Sequence, residues 1–278
     1  MSFYISLSGL KAAQTDLSAI SNNVANVNSN GFKKNVANFG DIFSSAPFQN
    51  TASYPGQGVR VQSVTQQFTQ GTTETTGKTL DLAITGEGFF TVKNPVDGLI
   101  SYTRDGALSI DKDRNVLDRT GARLQVLAVD STTGEPTANS TKDKAALTDL
   151  NIPSTLEDGI TQLTSVAINA KGVVSAVYTN GETRYLGAVA MASFNGQDAL
   201  RQQGNQHWTQ TVASGDPTFG VGNQGLFGAV NSGSLERANV DITEELVELI
   251  AAQRNFQANA KAIEAANTLT TTVVNMRT

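Results

Sequence analysis

Residues 10–27 read LKAAQTDLSAISNNVANV, and residues 242–276 read ITEELVELIAAQRNFQANAKAIEAANTLTTTVVNM. In the first stretch the apolar positions recur at intervals of three, four, three, four and three, at Leu10, Ala13, Leu17, Ile20, Val24 and Val27. This spacing places one apolar stripe along an α-helix. Asn28, Asn30 and Gly31 are poor helix residues, so we expect the helix to stop there.

The second stretch has the same rhythm over a much longer run. Its stripe consists of Ile242, Leu246, Leu249, Phe256, Ala260, Ile263 and Val274. Asp241, or Asn239 before it, can cap the start of the helix, and Glu244 and Glu245 fall in the first turn, where the helix dipole favours acidic residues. A helix from there to about Met276 would be roughly 50 Å long at 1.5 Å per residue.

Between the two predicted helices the pattern changes to short runs of β-branched and other apolar residues, with Gly and Asn between them. Such runs favour strands. They cover residues 80–84, 89–92, 165–168, 173–178 and 186–191. Asn180-Gly181 joins two such runs and indicates a hairpin, for which we expect a type I′ turn with positive φ at both residues. The middle of the chain is therefore predicted to be mainly antiparallel β.

Two segments beside this β region, Asn35 to Gln70 and Gly215 to Ser234, are rich in Gly, Gln, Ser, Thr and Asn and show little periodicity. We expect extended connectors there. The predicted fold class is α+β, with long N- and C-terminal helices that pair as a coiled-coil-like inner domain. The predicted bounds are 1–30 with 240–278 for the helical domain, 31–75 with 226–239 for the connector and 76–225 for the β domain.

The terminal stripes need a partner, because apolar surface left in water costs about 25 cal/mol per Å². The helices can pair with each other, with neighbouring copies, or with both. Asn and Gln inside such stripes are typical of contacts that set the register of coiled coils. A helical hairpin packed on the β domain is an equally good interpretation of the periodicity. If neighbours supply the partner, protease should trim both termini of the isolated monomer first.

Charge and composition exclude several classes of protein. The formal net charge is -5 and the pI is near 5.0, so a basic surface for nucleic acid or a membrane is absent. Without cysteine, the chain has neither disulfides nor thiolate metal sites. No run approaches about 18 apolar residues, and the N-terminus lacks the apolar core of a secretory signal. We therefore predict no membrane insertion, and an exported protein would need another route.

Chemical sites are also scarce in the sequence. His207 is the only histidine, so a histidine-based triad or multi-histidine metal site is excluded, and we interpret His207 as a packing or surface residue. Residues 111–115 imitate half of a calcium loop without its bidentate glutamate, which favours a hairpin turn. Residues 86–88 lack the third glycine of a dinucleotide motif. We predict no metal, cofactor or catalytic site and no enzymatic activity, glycan cleavage included.

Residues 8–33, 77–106 and 233–259 contain three blocks of motifs that together resemble the bacterial flagellar rod and hook protein family. The N-terminal block contains Ser8-Gly9-Leu10, Leu17, Ile20, Asn23, Ala25-Asn26 and Gly31-Phe32-Lys33. The C-terminal block contains Gly233-Ser234-Leu235-Glu236, Asn239-Val240-Asp241, Glu245, Ala252-Gln253-Arg254-Asn255-Phe256 and Asn259. The middle block contains Gly77-Lys78, residues 80–84, Gly86, Gly88-Phe89-Phe90 and residues 102–106. The blocks occur in the order expected for the family.

Within the family, residues 38–43, 58–61 and 66–71 resemble the hook proteins in particular. Hook proteins usually carry an extra outer β domain, and the run from Leu147 to Val177 leaves no room for it. That compact plan resembles the distal rod protein instead.

The resemblance implies a structural subunit that polymerises into the tubular hook, the universal joint that transmits motor torque. It implies an inner tube of coaxial terminal helices and export through the flagellar type III apparatus without a cleaved signal peptide. Assembly would take place outside the cell beneath a hook cap, with the distal rod protein below and the hook-filament junction proteins above. The alternatives are a distal rod subunit of the basal body and a secreted adhesin or cell-wall binding module.

Subunit contacts are expected along the two helical seams. The seam residues are Leu10, Leu17, Ile20, Val24, Val27, Leu246, Leu249, Phe256, Ile263 and Val274.

Overall fold

The computed structural model describes residues 2–42, 56–137, 140–155 and 160–276. The chain divides into two compact units. The helical unit consists of residues 1–27, 34–67 and 240–278, and the β unit consists of residues 28–33 and 68–239. Among the described residues, no helix is both long and apolar enough to cross a bilayer.

The helical unit contains both terminal helices, α1 (Ser2–Ala25) and α2 (Ile242–Asn275), which pack against each other. The carboxylate of Asp241 accepts hydrogen bonds from the backbone N–H groups of Thr243 and Glu244, so it caps α2 as predicted. The 34 residues of α2 give this helix a length of about 51 Å. Val27 lies beyond the end of α1, where Asn26 and its neighbours offer side chains that compete with helical hydrogen bonds.

A hairpin completes the helical unit, where an extended connector was predicted. Strands β1 (Asn35–Asp41) and β2 (Val59–Gln66) pair antiparallel, with a bulge after Asn38. Phe39 faces Val61 across the pair, and Ala37 faces Val64. These apolar residues are interleaved with Ser, Thr, Asn and Gln, which hid the strand pattern. Phe43, the last residue of one hook-like block, lies outside the described residues.

The β unit is built from short strands. They are β3 (Thr73–Thr75), β4 (Leu82–Thr85), β5 (Phe89–Lys93), β6 (Ile100–Thr103), β7 (Ser109–Ile110), β8 (Val116–Leu117), β9 (Arg123–Leu127), β10 (Ser140–Thr141), β11 (Leu147–Asp149), β12 (Leu163–Ile168), β13 (Val173–Tyr178), β14 (Thr183–Val189), β15 (Met191–Ser193), β16 (Arg201–Gly204), β17 (His207–Thr209), β18 (Thr218–Gly220), β19 (Ala229–Ser232) and β20 (Ser234–Glu236).

One large sheet runs in the order β10-β18-β15-β5-β9-β14-β13-β12, with β6, β7, β8, β11, β16 and β17 attached beside this path. Every strand pair described is antiparallel, which confirms the predicted mainly antiparallel β region. β13 has the predicted bounds, and β4, β5, β12 and β14 overlap the other predicted runs. The run from Leu147 to Val177 includes residues 156–159, which lie outside the described residues.

Two hydrophobic clusters form the centre of the β unit. The larger one packs aliphatic residues around Phe90, including Leu82, Ile84, Val92, Leu124, Val126, Leu150 and Ile152. The second is aromatic and contains Phe89, Tyr102, Phe194, Trp208 and Phe219. Edge-to-face contacts join its rings, for example Tyr102 and Phe194 with centroids 4.8 Å apart.

The β unit extends further along the chain than the predicted 76–225. β19 pairs with β4, and β20 pairs with β3. Residues 226–239, predicted as connector, therefore supply two strands, and Val230 on β19 is 1% exposed within the aliphatic cluster.

The turn between β13 and β14 differs from the type I′ prediction. Gly181 has φ of 82°, whereas Asn180 is absent from the residues with positive φ. The N–H of Gly181 donates to the carbonyl of Tyr178, and the N–H of Tyr178 donates to that of Glu182. This is a type I turn closed by one left-handed residue. Residues 111–115 form the same hydrogen bonds between β7 and β8, with Arg114 left-handed at 66°, which confirms the predicted hairpin turn.

Candidate subunit interface

The face of α2 that turns towards α1 includes part of the predicted seam. Residues with reduced exposure recur at intervals of three and four along the helix, at Glu245, Leu249, Ala252, Phe256, Asn259, Ile263 and Ala266. Ala252 is 1% exposed. Since α1 and α2 pack together, this inner stripe is largely used within the chain.

Two apolar patches of α2 stay exposed. The start patch is Ile242, Leu246 and Ile250, and the end patch is Leu269, Val273 and Met276. Their exposures run from 44% at Leu246 to 82% at Met276, and Val274 beside the end patch is 59% exposed. Leu246 and Val274 of the predicted seam therefore belong to this exposed surface, as far as the described residues show.

The predicted seam residues of α1 are less exposed to solvent than Leu246 and Val274 of α2. Ile20 is 5% exposed and is accompanied by Ala12, Ala13 and Ala19, all buried. Leu10, Leu17, Val24 and Val27 are half-buried. The first turn instead exposes Phe3, Tyr4 and Ile5. As in α2, apolar surface near the end of the chain remains available for another molecule.

Gly9 allows the two helices to approach closely. A Cβ atom built on Gly9 would lie 2.6 Å from Oδ1 of Asn259 on α2. Real Cβ atoms do not approach another heavy atom so closely, so a larger residue would push the side chain of Asn259 or the helix away. Both residues occur in the family-like blocks, and this contact gives them a packing role.

A buried polar network fixes where α1, β1 and α2 meet. The side chain of Asn23 is fully buried. It donates to the Asn35 carbonyl at 2.9 Å and to Oε2 of Glu245 at 3.0 Å, and it accepts from the Asn35 N–H at 2.8 Å. Lys34 Nζ lies 2.7 Å from Oε1 of Glu245, so the buried carboxylate is neutralised.

The charge of Glu245 affects its neighbours. Burial alone would lower the pKa of Lys34, but the hydrogen bond and the charge of Glu245 raise it above its ordinary value. Burial raises the pKa of Asp16, and the negative charge of Glu245 raises it further. The carboxylate therefore favours a cation at Lys34 and disfavours a second anion nearby.

A second polar cluster, which we call the clamp, lies inside the β unit. Glu236 is its centre and has a fully buried side chain. Its Oε1 accepts from Lys33 Nζ at 2.8 Å and from the Gly71 N–H at 2.9 Å, and its Oε2 lies 3.3 Å from Arg104 NH1. The carbonyl of Glu236 accepts from the N–H of Gly31 at 2.8 Å. One residue thus connects four segments of the chain.

The clamp places two buried cations around one carboxylate. Burial lowers the pKa of Lys33 and of Arg104, and in both the charge of Glu236 opposes that effect. Arg104 also donates to the carbonyl of Gly86 and lies over the ring of Phe89, 5.2 Å from its centroid. Loss of Glu236 would leave both cations without an anionic partner in a dry site.

Sites for metal chemistry are absent from the described part of the chain, where no three His, Asp or Glu side chains are placed to hold an ion. His207 is 7% exposed and lies against Asp118, a packed position as predicted.

Known proteins with similar sequences identify the family to which this chain belongs. The flagellar basal-body rod protein FlgG of Bacillus subtilis is 32% identical, and the match covers 99% of this chain and 98% of that protein. This chain belongs to the flagellar rod and hook protein family. It is thus a structural subunit of a flagellar rod or hook.

The other matches agree with this rod and hook family. The hook protein FlgE of Salmonella typhimurium is 28% identical over the full length of both chains, and the rod protein FlgG of Agrobacterium fabrum is 31% identical over 97% and 96%. Three family models match in order: the basal body rod protein at residues 3–33, the FlgE/F/G D1 domain at 83–176 and the FlgEFG C-terminal region at 231–276.

The rod and hook relatives differ in length relative to this chain. The alignment with the Salmonella hook protein extends over 411 positions, although this chain has 278 residues. A large part of that hook protein therefore has no counterpart here. The alignment with the Bacillus rod protein extends over 289 positions and needs few gaps.

Residues of the family motifs fall into two groups in the structure. Asn23, Gly31 and Phe32 are buried, and a Cβ on Gly31, whose φ is 67°, would lie 2.5 Å from the N atom of Asp105. Asn26 donates from its side chain to the carbonyl of Asn22. Gln253, Arg254 and Asn255 are exposed on α2. The first group shapes the fold, and the second faces solvent in the single chain.

Sequence reasoning missed the two polar clusters. Lys33, Arg104 and Glu236 occur in the family-like blocks without a predicted role, and Glu245 was expected only to favour the first turn of α2. Their presence in those blocks was the one available signal, since no local spacing relates residues 33, 104 and 236.

Proposed function

We propose that this protein polymerises through its terminal helices to form the tubular flagellar hook. The observation that carries the proposal is the exposed apolar surface of α2, present although the inner stripe of the same helix already packs against α1. Surface of this kind at both ends of a chain is typical of an obligate assembly. A homopolymer repeats each contact at every subunit, so modest contacts suffice for a stable tube.

The predicted helical seams contribute to this interface in the proposal. Leu246 and Val274 are exposed and would meet a neighbouring copy directly. Leu249, Phe256 and Ile263 are half-buried and would support the α1–α2 pair while completing contacts to neighbours. The proposed inner domain is 1–30 with 240–278, whereas the compact units of the chain group residues 28–30 with the β unit and add 34–67 to the helical unit.

A hook role predicts a defined set of neighbours. We propose export through the flagellar type III apparatus without a cleaved signal peptide, and assembly outside the cell beneath a hook cap. The distal rod protein would lie below and the hook-filament junction proteins above. No cofactor and no catalytic activity are part of the proposal, because the clusters found here hold structural ion pairs.

The distal rod is the second candidate, and one observation favours it. The alignment of this chain with the rod protein of Bacillus spans 289 positions, close to the length of this chain, whereas the alignment with the hook protein of Salmonella spans 411. The hook-like blocks at residues 38–43, 58–61 and 66–71 favour the hook. An adhesin or wall-binding module gains no support from the exposed helix patches.

Deleting the gene in its source bacterium and imaging isolated basal bodies by electron microscopy separates the candidates. A hook subunit leaves a full-length rod that ends without a hook, and expression of the gene restores a curved hook. A distal rod subunit instead leaves a shortened rod. Normal rods and hooks in the deletion strain would overturn both candidates.

A further inference from the structure

The single histidine occupies a constrained position in the β unit. His207 begins β17, directly after the tight turn at Asn205 and Gln206, whose φ angles are 50° and 58°. The turn joins β16 to β17, and His207 pairs with Thr103 of β6 on the other side. The residue is 7% exposed, so its imidazole is largely shielded from water.

Both ring nitrogens of His207 face hydrogen-bond acceptors. Nδ1 lies 2.8 Å from the carbonyl oxygen of Asn205, and Nε2 lies 2.6 Å from Oδ2 of Asp118. Carbonyl and carboxylate oxygens accept hydrogen bonds and cannot donate them. A neutral imidazole donates from one nitrogen only and would present a lone pair to the other acceptor. Only the doubly protonated ring satisfies both contacts.

Asp118 is itself held in the ionised form. Its Oδ1 accepts from the N–H of Thr120 at 2.8 Å, from the hydroxyl of Thr120 at 2.8 Å and from the N–H of Ala122 at 2.9 Å. These donors leave the second oxygen for His207. A proton shared between the ring and the carboxylate is therefore favoured on the ring.

We infer that His207 is an imidazolium in the folded protein and clasps the β16–β17 hairpin to the turn between β8 and β9, a contact that weakens as pH rises. The clasp is separate from the proposed polymer interface.

The other charged groups near the ring favour the same state. Asp105 follows β6 and interacts with the ring through its charge, and Arg119 partly neutralises it at 3.5 Å from Oδ2. Asp97 lines the same cavity as His207 and is exposed. Among the described residues, the acids Asp118, Asp105 and Asp97 thus lie near His207, and Arg119 opposes their charge.

The direction of the pH effect follows from these contacts. Burial alone would lower the pKa of His207, but Asp118 and the Asn205 carbonyl raise it above its ordinary value of 6.5. The clasp therefore contributes its full stability below pH 6.5 and loses it as pH rises through the folded pKa. Burial alone would raise the pKa of Asp118, yet the bonds from His207, Thr120 and Ala122 lower it, so the carboxylate stays charged in this range.

Nuclear magnetic resonance of the full chain, labelled with ¹⁵N at histidine, tests the inference directly, since one residue gives all the signals. We expect both ring nitrogens to carry protons at pH 6.5 and the titration midpoint to lie above 6.5. A midpoint at or below 6.5, or one unprotonated nitrogen at pH 5.5, would overturn the inference without any variant.

A substitution then identifies the clasp. Asp118→Asn should lower the titration midpoint, whereas Asp97→Asn, which removes an exposed acid at the same cavity, should leave it nearly unchanged. Urea unfolding of the wild type should show a higher midpoint concentration at pH 6 than at pH 8.5, and His207→Gln should reduce that difference. Equal midpoints for Asp118→Asn and the wild type would contradict the role of Asp118.

Discussion

The side-chain amide of Asn23 on α1 donates a hydrogen bond of 3.0 Å to the carboxylate of Glu245 on α2, and both side chains are shielded from solvent. The same amide group also binds both backbone groups of Asn35 at the start of β1. Asn23 therefore determines which turn of α1 lies opposite the first turn of α2. This relationship fixes the register of the helical unit more specifically than apolar contacts can.

The substitution Asn23→Ala should destabilise the helical unit by about 1–3 kcal/mol, because the buried N–H and carbonyl of Asn35 lose their partners. Helical circular dichroism during urea unfolding gives the measurement. Ser21→Ala, two residues earlier and exposed on the same helix, is the matched control. Equal losses in the two variants would show that Asn23 has no special role.

Gly9→Ala should weaken the contact between α1 and α2, even though alanine is normally the better helix former by about 0.5–1 kcal/mol. The new methyl group would lie 2.6 Å from Asn259 Oδ1. Adding Asn259→Ala should relieve the clash and recover stability in thermal unfolding. If Gly9→Ala alone raises the melting temperature, the close approach is not significant in solution.

Leu269→Asp and Ile263→Asp should separate assembly from helix pairing. Leu269 is 67% exposed, so its replacement should prevent polymerisation while the monomer keeps its helical signal. Ile263 lies on the half-buried inner stripe, and burial of such a side chain contributes about 1.5–3 kcal/mol, so its replacement should reduce both properties.

Sedimentation of concentrated protein and circular dichroism measure these two properties. Gln257→Asp, at an exposed polar position of α2, should polymerise normally. A Leu269→Asp variant that forms normal tubes would remove the end patch from the interface.

Glu236→Gln should destabilise the β unit by about 3–5 kcal/mol, because Lys33 and Arg104 would remain buried without their carboxylate. Trp208 is the only tryptophan and is 1% exposed, so its fluorescence reports unfolding of this unit. Glu74→Gln removes an exposed partner of Arg237 and should cost about 1 kcal/mol or less. Similar effects of both variants would contradict the importance of the clamp.

A fragment of residues 28–239 should unfold cooperatively, and a fragment of residues 76–225 should not. The shorter one lacks β3, β19 and β20, and would expose Leu82 and Ile84, both 0% exposed in the full chain. Trp208 fluorescence in urea distinguishes the two. A sharp transition at the same urea concentration in both fragments would show that residues 76–225 suffice for a stable β domain, as the sequence predicted.

The fold was predictable where a pattern is local. The strict three-and-four spacing of Leu10 to Val24 and the capping residue Asp241 identified both helices, and the β-branched run at 173–178 identified β13. The β1–β2 hairpin was not predicted from the sequence, because Asn38 and its cross-strand partners are polar and a bulge shifts the register. The turn at Asn180-Gly181 is not the predicted type I′ turn, because one left-handed residue, Gly181, is enough to close the hairpin.

The candidate site was less predictable than the fold. The apolar residues of the helices indicated that an interface exists, but the division between an inner stripe and exposed patches depends on how α1 packs against α2. The clamp depends on Lys33, Arg104 and Glu236 meeting in space, and each alone resembles an ordinary surface charge. His207 acquires its role only through Asp118, which lies 89 positions away.

The hydrogen bond between Gly31 and Glu236 holds the segment that follows α1 beside the segment that precedes α2. The β unit is therefore an exchangeable module: residues can be inserted into it or deleted from it during evolution without changing the separation of the two strands of chain that lead to the helices. The Salmonella hook protein, aligned end to end with this chain over 411 positions, contains much sequence that has no counterpart here.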